Sequence, residues 1–194
     1  MEIETIQKII IFSLLGVFFL GRYFWSLFEG KRNKISVNKN TTKGRFWISI
    51  IIYALLPILI VLNLDNIFTF FQITNEVEII FFVGTFISIS GLLLMILARL
   101  HRQSDWGFMG DTAGQVLFTK GIYSITRHPY YVGAAMVIFG VYLISNSWFL
   151  LLTLFGILFL KRVIREEETF LSERFGDEWV KYKNRVGIIP WLKI

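Results

Sequence analysis

The chain has 194 residues, of which 55% are hydrophobic and 17% aromatic, and its mean hydropathy is +0.60. A soluble domain of this size could not bury so many apolar side chains, so composition excludes an ordinary soluble globular protein. The net charge of +6 is carried by basic residues in the gaps between apolar runs, which favours membrane topology over nucleic-acid binding. The absence of cysteine excludes disulfides, thiolate catalysis and cysteine-ligated metal.

Three apolar runs in the N-terminal half predict membrane-spanning helices. Residues 5–21 contain a single charged side chain, Lys8, and residues 46–64 and 79–98 contain none. Each run is close to the ~20 residues that cross a hydrocarbon core as a helix. A signal peptide would have a basic segment before its apolar run and a small-residue cleavage site. The N-terminus has neither, so we interpret the first run as a retained span. Residues 1–98 are therefore predicted to form a three-span scaffold, in which Gly84 and Gly91 indicate close helix packing.

Two shorter apolar runs, 130–144 and 148–160, are separated by only three polar residues. Because both are shorter than a comfortable span, they predict a helical hairpin at the membrane. The predicted fold is thus an all-α integral membrane protein with about five transmembrane helices, three spans plus this hairpin. Residues 99–194 are predicted to form a second region, whose C-terminal helices close a pocket.

The distribution of basic residues predicts which side of the membrane each segment faces. Nineteen of the 20 lysines and arginines fall in residues 22–45, in 99–127 or after 160, whereas residues 63–78 contain acidic side chains and no basic one. Basic loops are retained on the cytosolic side. The N-terminus is therefore predicted outside and the C-terminus in the cytosol, and in a prokaryote the membrane would be the inner one.

The residues that could carry chemistry lie on either side of the hairpin. Arg127 and His128 stand immediately before an apolar helix whose first turn Pro129 can open, an arrangement suited to an anionic guest. After the hairpin come Lys161, Arg162, Arg165 and three consecutive glutamates, 166–168. Since both ends of a hairpin return to one side of the membrane, His128 and Glu167 are predicted to face each other across a pocket.

Two simpler interpretations of the second cluster remain open. Arg162 and Glu166 are one helical turn apart and could merely pair, and the glutamates could be a solvated face. Against this, apolar and aromatic residues recur at helical spacing from Phe170 to Tyr182, which predicts a face that docks on the rest of the protein. Gly176 is predicted to end one helix and Asp177 to cap the next.

Several short motifs occur in a fixed order around the hairpin. They are Gly121-Ile-Tyr123, Arg127-His-Pro-Tyr-Tyr131-Val-Gly133, Glu166-Glu-Glu168, Phe175-Gly-Asp-Glu-Trp179 and Tyr182. In order and spacing they resemble the isoprenylcysteine carboxyl methyltransferase family and its phospholipid methyltransferase relatives. The resemblance covers about residues 110–190, and the small N-terminal half is similar to that of a compact prokaryotic member.

The resemblance implies a pocket for S-adenosyl-L-methionine, with S-adenosyl-L-homocysteine as product, and a tunnel that opens to the bilayer. The cofactor-binding residues it implies are Leu117, Phe118, Gly121, Tyr123, Arg127, His128, Pro129, Tyr131, Glu167 and Glu168. The catalytic residues it implies are Glu167, Arg162 and Arg165, with one arginine orienting the acceptor's carboxylate. No metal is expected to be needed, and Lys183 is expected to be a dispensable surface cation.

The predicted activity is therefore methyl transfer to a lipid-like acceptor that is reached from the bilayer, most simply the carboxylate of a prenylcysteine-like amphiphile. Membrane lipids are the expected surroundings and nucleic acid is not an expected partner. The alternatives are transfer to the amine of a phospholipid or to a thiol, a sterol-reductase-like enzyme that shares a related Arg-x-Pro-x-Tyr pattern, and a lipid-binding protein without turnover.

Overall fold

The computed structural model describes residues 6, 9–18, 20–21, 77–101, 117–145 and 148–189. Within these ranges the chain is helical and contains no β-strand. The predicted span over 46–64 lies outside the described residues. The α-helices are α1 (Ile9–Phe18), α2 (Val77–His101), α3 (Pro129–Ile144), α4 (Leu152–Phe175) and α5 (Asp177–Arg185). Short 3-10 helices cover Gly121–Ser124 and Trp148–Leu151.

The helices agree with the apolar runs of the sequence. Helix α2 confirms the helix predicted over 79–98, and in the described part of the chain it is the one helix long and apolar enough to cross a membrane. Helix α3 confirms the first arm of the predicted hairpin, and α1 lies within the first apolar run. The second arm begins as a 3-10 turn and continues into α4, which runs without a break as far as Phe175. The total of five spans stays a prediction.

Helices α2 and α3 are antiparallel and packed close enough for their backbones to touch. A Cβ atom added to Gly91 would lie 2.6 Å from the carbonyl oxygen of Gly133, and one added to Gly84 would lie 2.8 Å from that of Gly140. Between these two contacts Ser88 is fully buried, and its hydroxyl donates to the Val137 carbonyl at 3.4 Å. The close packing predicted from Gly84 and Gly91 is confirmed, and the facing glycines lie one heptad apart on α3.

Helix α1 completes this core with one apolar face. The side chains it buries are Ile11, Leu14, Leu15 and Phe18. They recur at helical spacing and join Met95 of α2 and three residues of α3 in one cluster. Burial of these side chains holds three helices together around the glycine contacts.

Helices α4 and α5 are joined by a single residue, Gly176, whose φ of 50° and ψ of −123° turn the chain. Gly176 thus ends a helix as predicted, since a positive φ favours glycine. The prediction that Asp177 caps the next helix is wrong: Gly176 occupies the capping position and Asp177 begins α5 itself. Asp177 and Glu178 still stabilise α5, because their carboxylates lie in its first turn, at the positive end of the helix dipole.

We expect Gly91→Ala to destabilise the protein by about 1–3 kcal/mol, because a methyl group placed against a backbone carbonyl forces the two helices apart. The measurement is the thermal unfolding midpoint in detergent. Gly156→Ala is the matched control, because a Cβ there meets nothing within 4 Å and alanine should favour a helix by about 0.5–1 kcal/mol over glycine. Equal midpoints for both variants would contradict the close approach of α2 and α3.

Candidate functional site

The segment that leads into α3 begins at a glycine with a steric role. Gly121 has a φ of 61°, which favours glycine, and a Cβ atom there would lie 2.4 Å from the His101 ring, so a larger residue would require that side chain to move. The Nδ1 of His101 donates to the Leu97 carbonyl at 2.9 Å, which fixes the ring in place. Gly121 therefore lets the 3-10 helix lie against α2, and its predicted contact with a cofactor stays a prediction.

His128 and Pro129 open helix α3 together. Pro129 occupies the first helical position, where its fixed φ suits a helix and its missing N–H is not needed. The His128 N–H donates to the Thr126 hydroxyl at 3.3 Å, and the His128 carbonyl accepts from Val132 at 3.1 Å. These bonds fix the backbone of His128 and direct its imidazole, of which 3% is exposed, toward α4.

The Glu168 carboxylate of α4 is the centre of a buried ionic cluster. Its Oε1 accepts from Arg127 Nε at 2.6 Å and from His128 Nε2 at 3.2 Å. Its Oε2 accepts from Lys183 Nζ of α5 at 2.8 Å. The cluster therefore joins α4, α5 and the start of α3 through one side chain. Because an ionised carboxylate only accepts hydrogen bonds, His128 must carry a proton on Nε2.

The electrostatic balance keeps Glu168 ionised. Burial by itself raises the pKa of this carboxyl. Hydrogen bonds from His128, Lys183 and Arg127, together with the positive charge of Arg127, outweigh burial and hold the pKa of Glu168 well below its usual range. At neutral pH the buried Arg127 guanidinium thus faces a negative charge.

Arg127 also binds the C-terminal segment, residues 177–189, through hydrogen bonds. Its Nη1 donates to the Val186 carbonyl at 2.5 Å, and its backbone N–H donates to the Gly187 carbonyl at 3.1 Å. The Tyr182 hydroxyl donates to the Tyr123 carbonyl at 2.6 Å. Beneath these bonds an apolar cluster contains Trp179, Tyr182 and Val186, with Leu117, Leu171 and Phe175 packed against it. The aromatic face predicted between residues 170 and 182 therefore does dock on the segment before α3.

His128 and Glu167 are close together, as predicted, but the pocket predicted between them stays a prediction. The Nδ1 of His128 lies 3.7 Å from Oε2 of Glu167, whose side chain is 18% exposed, compared with 10% for Glu168. The Tyr131 ring lies on the same imidazole, with ring centres 5.8 Å apart. The two neighbouring glutamates thus differ: Glu168 is enclosed by three cations or donors, and Glu167 is the more accessible of the pair.

The remaining predicted residues fall into two groups. Phe118 and Tyr123 form an aromatic pair with ring centres 6.4 Å apart, beside the backbone of Leu117. Arg162 belongs to the second group, which lies at the surface. Its side chain is 80% exposed, and its Nε donates to Glu166 at 3.3 Å. The simpler interpretation of Arg162 and Glu166 as a helical ion pair is thus confirmed. Arg165 is also exposed, so the structure brings neither arginine into the Glu168 cluster.

Two members of this site, Lys183 and Thr126, were not predicted from the sequence. Lys183 was expected to be a dispensable surface cation; it is exposed, but its ammonium also pairs with Glu168, which was not predicted, and its dispensability is untested. Thr126, which is buried, was not singled out, yet its hydroxyl donates to the Ile188 carbonyl and accepts from His128. Both contacts join residues far apart in the chain across the turn at Gly176, so no local pattern marks them.

Comparison with known proteins agrees with this geometry. The model of the phospholipid methyltransferase family matches residues 79–178, from the start of α2 into α5 and over more than half of the chain. The chain belongs to the phospholipid methyltransferase family. The match includes Arg127, His128, Glu167 and Glu168 of the cluster but ends before Lys183. The resemblance predicted from the motifs around the hairpin is confirmed.

Proteins similar to this family member include three that are named protein-S-isoprenylcysteine O-methyltransferase. The one from Saccharomyces cerevisiae is 32% identical over 118 residues, which cover 54% of this chain and 49% of the yeast protein. The one from Tribolium castaneum is 30% identical over 130 residues, with 64% and 46% covered. The human protein is 28% identical over 127 residues, with 56% and 43% covered. The matches thus span about half the length of these relatives or less.

Proposed function

We propose that the protein is an S-adenosyl-L-methionine-dependent membrane methyltransferase that acts on a lipid-like acceptor. The observation that carries the proposal is the buried cluster of Glu168, Arg127 and His128 beneath the C-terminal segment, with Glu167 accessible beside it. The family supports a methyltransferase, and the names of the similar proteins support a prenylcysteine carboxylate as acceptor.

The residues around His128 fit the chemical groups of S-adenosyl-L-methionine. Its ammonium and ribose hydroxyls require a carboxylate, which Glu167 would provide with the His128 imidazole beside it. Its adenine requires an apolar and aromatic surface with bare backbone, which Leu117, Phe118 and Tyr123 would provide. The other proposed contacts are Gly121, Arg127, Pro129, Tyr131 and Glu168, and S-adenosyl-L-homocysteine would leave from the same site.

The protein's own part in such a reaction is to bind the cofactor and the acceptor, to orient them, and to exclude water. The cofactor supplies a methyl group on a sulfonium that is already a strong electrophile, so rate depends mainly on alignment of the acceptor. The C-terminal segment, fastened by Arg127 and Tyr182, covers the site and removes water from it. Glu168 neutralises Arg127, so this buried guanidinium does not remain as an uncompensated charge.

The acceptor atom distinguishes two versions of this function. The names of the similar proteins favour a carboxylate, which Arg162 or Arg165 would orient once the acceptor is bound. The family description favours a phospholipid amine, which needs no such cation. That Arg162 pairs with Glu166 and is 80% exposed supports the amine version. We propose the carboxylate as the first acceptor to test and an aminophospholipid as the second.

The membrane placement forms part of the proposal. One described helix, α2, has the length and composition of a span, and α1 and α3 are shorter and apolar. With the run at 46–64 and the hairpin, these would make a multi-pass protein whose N-terminus is outside. The positions of 19 of the 20 basic residues support a cytosolic C-terminus. The site would then face the compartment that contains the cofactor.

The function is tested with detergent-solubilised protein. We expect S-adenosyl-L-methionine to raise the unfolding midpoint and NADPH to leave it unchanged, because a ligand that binds only the folded state stabilises it. Labelled methyl transfer is then measured to a farnesylated cysteine analogue and to an aminophospholipid, for the parent, Arg162→Lys and Arg165→Lys. A response to NADPH alone would favour the sterol-reductase alternative. Binding without transfer to either acceptor would favour a non-catalytic protein, and full turnover in both arginine variants would contradict their role.

A further inference from the structure

Lys183 is the most exposed member of the Glu168 cluster. Its side chain is 45% exposed, yet its ammonium lies 2.8 Å from Oε2 of Glu168. Arg127 and His128, which are both buried, share the other oxygen, Oε1. Each oxygen of the carboxylate therefore has its own set of donors, and the set on Oε2 in the described part of the chain is Lys183.

This division of donors has a mechanical consequence. A carboxylate that is held at one oxygen only can rotate about its last bond, whereas one that is held at both cannot. With Oε2 fixed by Lys183, Oε1 stays 2.6 Å from Arg127 Nε and 3.2 Å from His128 Nε2. Since Oε1 only accepts, the proton of His128 stays on Nε2, and Nδ1 remains directed at Glu167.

We propose that Lys183 is a positioning residue for the site: it acts through Glu168 to hold the His128 imidazole with Nε2 as donor and Nδ1 toward Glu167. In the described part of the chain, the charged or titratable groups around Glu168 are Arg127 and His128 before α3 and Lys183 on α5. Glu167, which precedes Glu168 on α4, lies near His128. The cationic end of α5 thus sets the geometry of the buried imidazole. This inference rests on the proposed function for its effect on ligand binding, but its effect on His128 is independent of any ligand.

The test compares Lys183→Met, which keeps the apolar stem and loses the charge, with Lys183→Arg, which keeps the charge. Lys181→Met is the matched control, because it removes an equal charge from an exposed position two residues earlier on the same helix. The first readout is the dissociation constant of S-adenosyl-L-methionine at neutral pH. We expect Lys183→Met to weaken binding about threefold to tenfold, since the pair is half exposed and its hydrogen bond is charged. Binding should recover in Lys183→Arg and be unchanged in Lys181→Met.

The second readout separates positioning from a general loss of stability. The protein contains two histidines, His101 and His128, so nitrogen NMR of the labelled imidazoles resolves both, and a His101→Gln variant assigns them. We expect the His128 Nε2 proton, protected from exchange in the parent, to exchange faster in Lys183→Met and to be protected again in Lys183→Arg. The His101 signals should not change.

The possible outcomes bear on different proposals. An unchanged His128 signal in a folded Lys183→Met would overturn the positioning role, whatever the ligand does. Failure of the parent to bind S-adenosyl-L-methionine would overturn the proposed function and leave the NMR result to decide about Lys183. Equal weakening of binding by Lys183→Met and Lys181→Met would show an effect of net charge only and would also overturn the inference.

Discussion

Glu168→Gln is expected to destabilise the folded protein by about 3–5 kcal/mol, because it leaves the buried Arg127 guanidinium without its counter-charge. Glutamine keeps the shape of the side chain but brings an NH₂ group among donors from Arg127, His128 and Lys183. Since Arg127 also holds the Val186 and Gly187 carbonyls, the loss should first release residues 177–189. The measurements are the unfolding midpoint in detergent and limited proteolysis of this C-terminal segment.

The matched control for this variant is Glu173→Gln, which removes the same charge from an exposed position on α4. It should leave both the midpoint and the cleavage pattern unchanged. Glu168→Gln should also fail to show a midpoint shift with S-adenosyl-L-methionine at concentrations that saturate the parent. A Glu168→Gln protein as stable and as resistant to proteolysis as Glu173→Gln would contradict the central role of this carboxylate.

Acidification provides a second measure of the same cluster. The pKa of Glu168 in the folded protein is depressed below the ordinary carboxyl value of 4.5. The folded state therefore binds fewer protons than the unfolded state, and Glu168 contributes stability above pH 4.5 that is lost as the pH falls below this value. Parent and Glu168→Gln midpoints should accordingly converge in acid. A difference between them that is constant from neutral pH into acid would show that the charge of Glu168 is not the cause.

Much of this fold could be predicted because its determinants are local. The length of the run at 79–98 requires a long helix, and Pro129 is favoured at the first position of one. Gly84 and Gly91, seven residues apart, indicated a contact face that α3 does provide. The meeting of His128 and Glu167 followed from a hairpin whose ends return to one side. These inferences needed only the apolar runs, the position of a proline or glycine, and the short connection within the hairpin.

The contacts that could not be predicted depend on how one residue turns the chain. Gly176 alone sets the direction of α5, and Lys183 reaches Glu168 only because of that turn. The sequence also does not distinguish Glu167 from Glu168, since adjacent glutamates on a helix differ only by about 100° of rotation about its axis. Whether a glutamate is buried beside Arg127, as Glu168 is, or only partly buried, as Glu167 is, depends on tertiary packing. Arg162 was an equal candidate for a helical ion pair and for an acceptor clamp, and the structure forms the pair.

Glu167→Gln is expected to weaken binding of S-adenosyl-L-methionine by at least about tenfold while leaving the free protein as stable as the parent. A hydrogen bond to a charged group is worth about 1.5–3 kcal/mol, which corresponds to that change in affinity or more. Stability should be retained because Glu168 still neutralises Arg127 in this variant. The measurements are the dissociation constant by calorimetry in detergent and the unfolding midpoint without ligand.

Glu166→Gln is the matched control, because Glu166 is the preceding residue of α4 and faces the exposed Arg162 on another side of the helix. Loss of an equal charge there should leave the dissociation constant within about twofold of the parent, as is usual for an exposed ion pair. If both variants weakened binding equally, general electrostatic attraction of the cationic cofactor would explain the result in place of a specific contact. If neither variant changed affinity while the parent bound the cofactor, Glu167 would not lie in the cofactor site, and its partly buried carboxylate would have to serve the acceptor instead. Methyl transfer by Glu167→Gln at saturating cofactor then separates these cases, because a residue that only binds the cofactor should leave the saturated rate close to that of the parent.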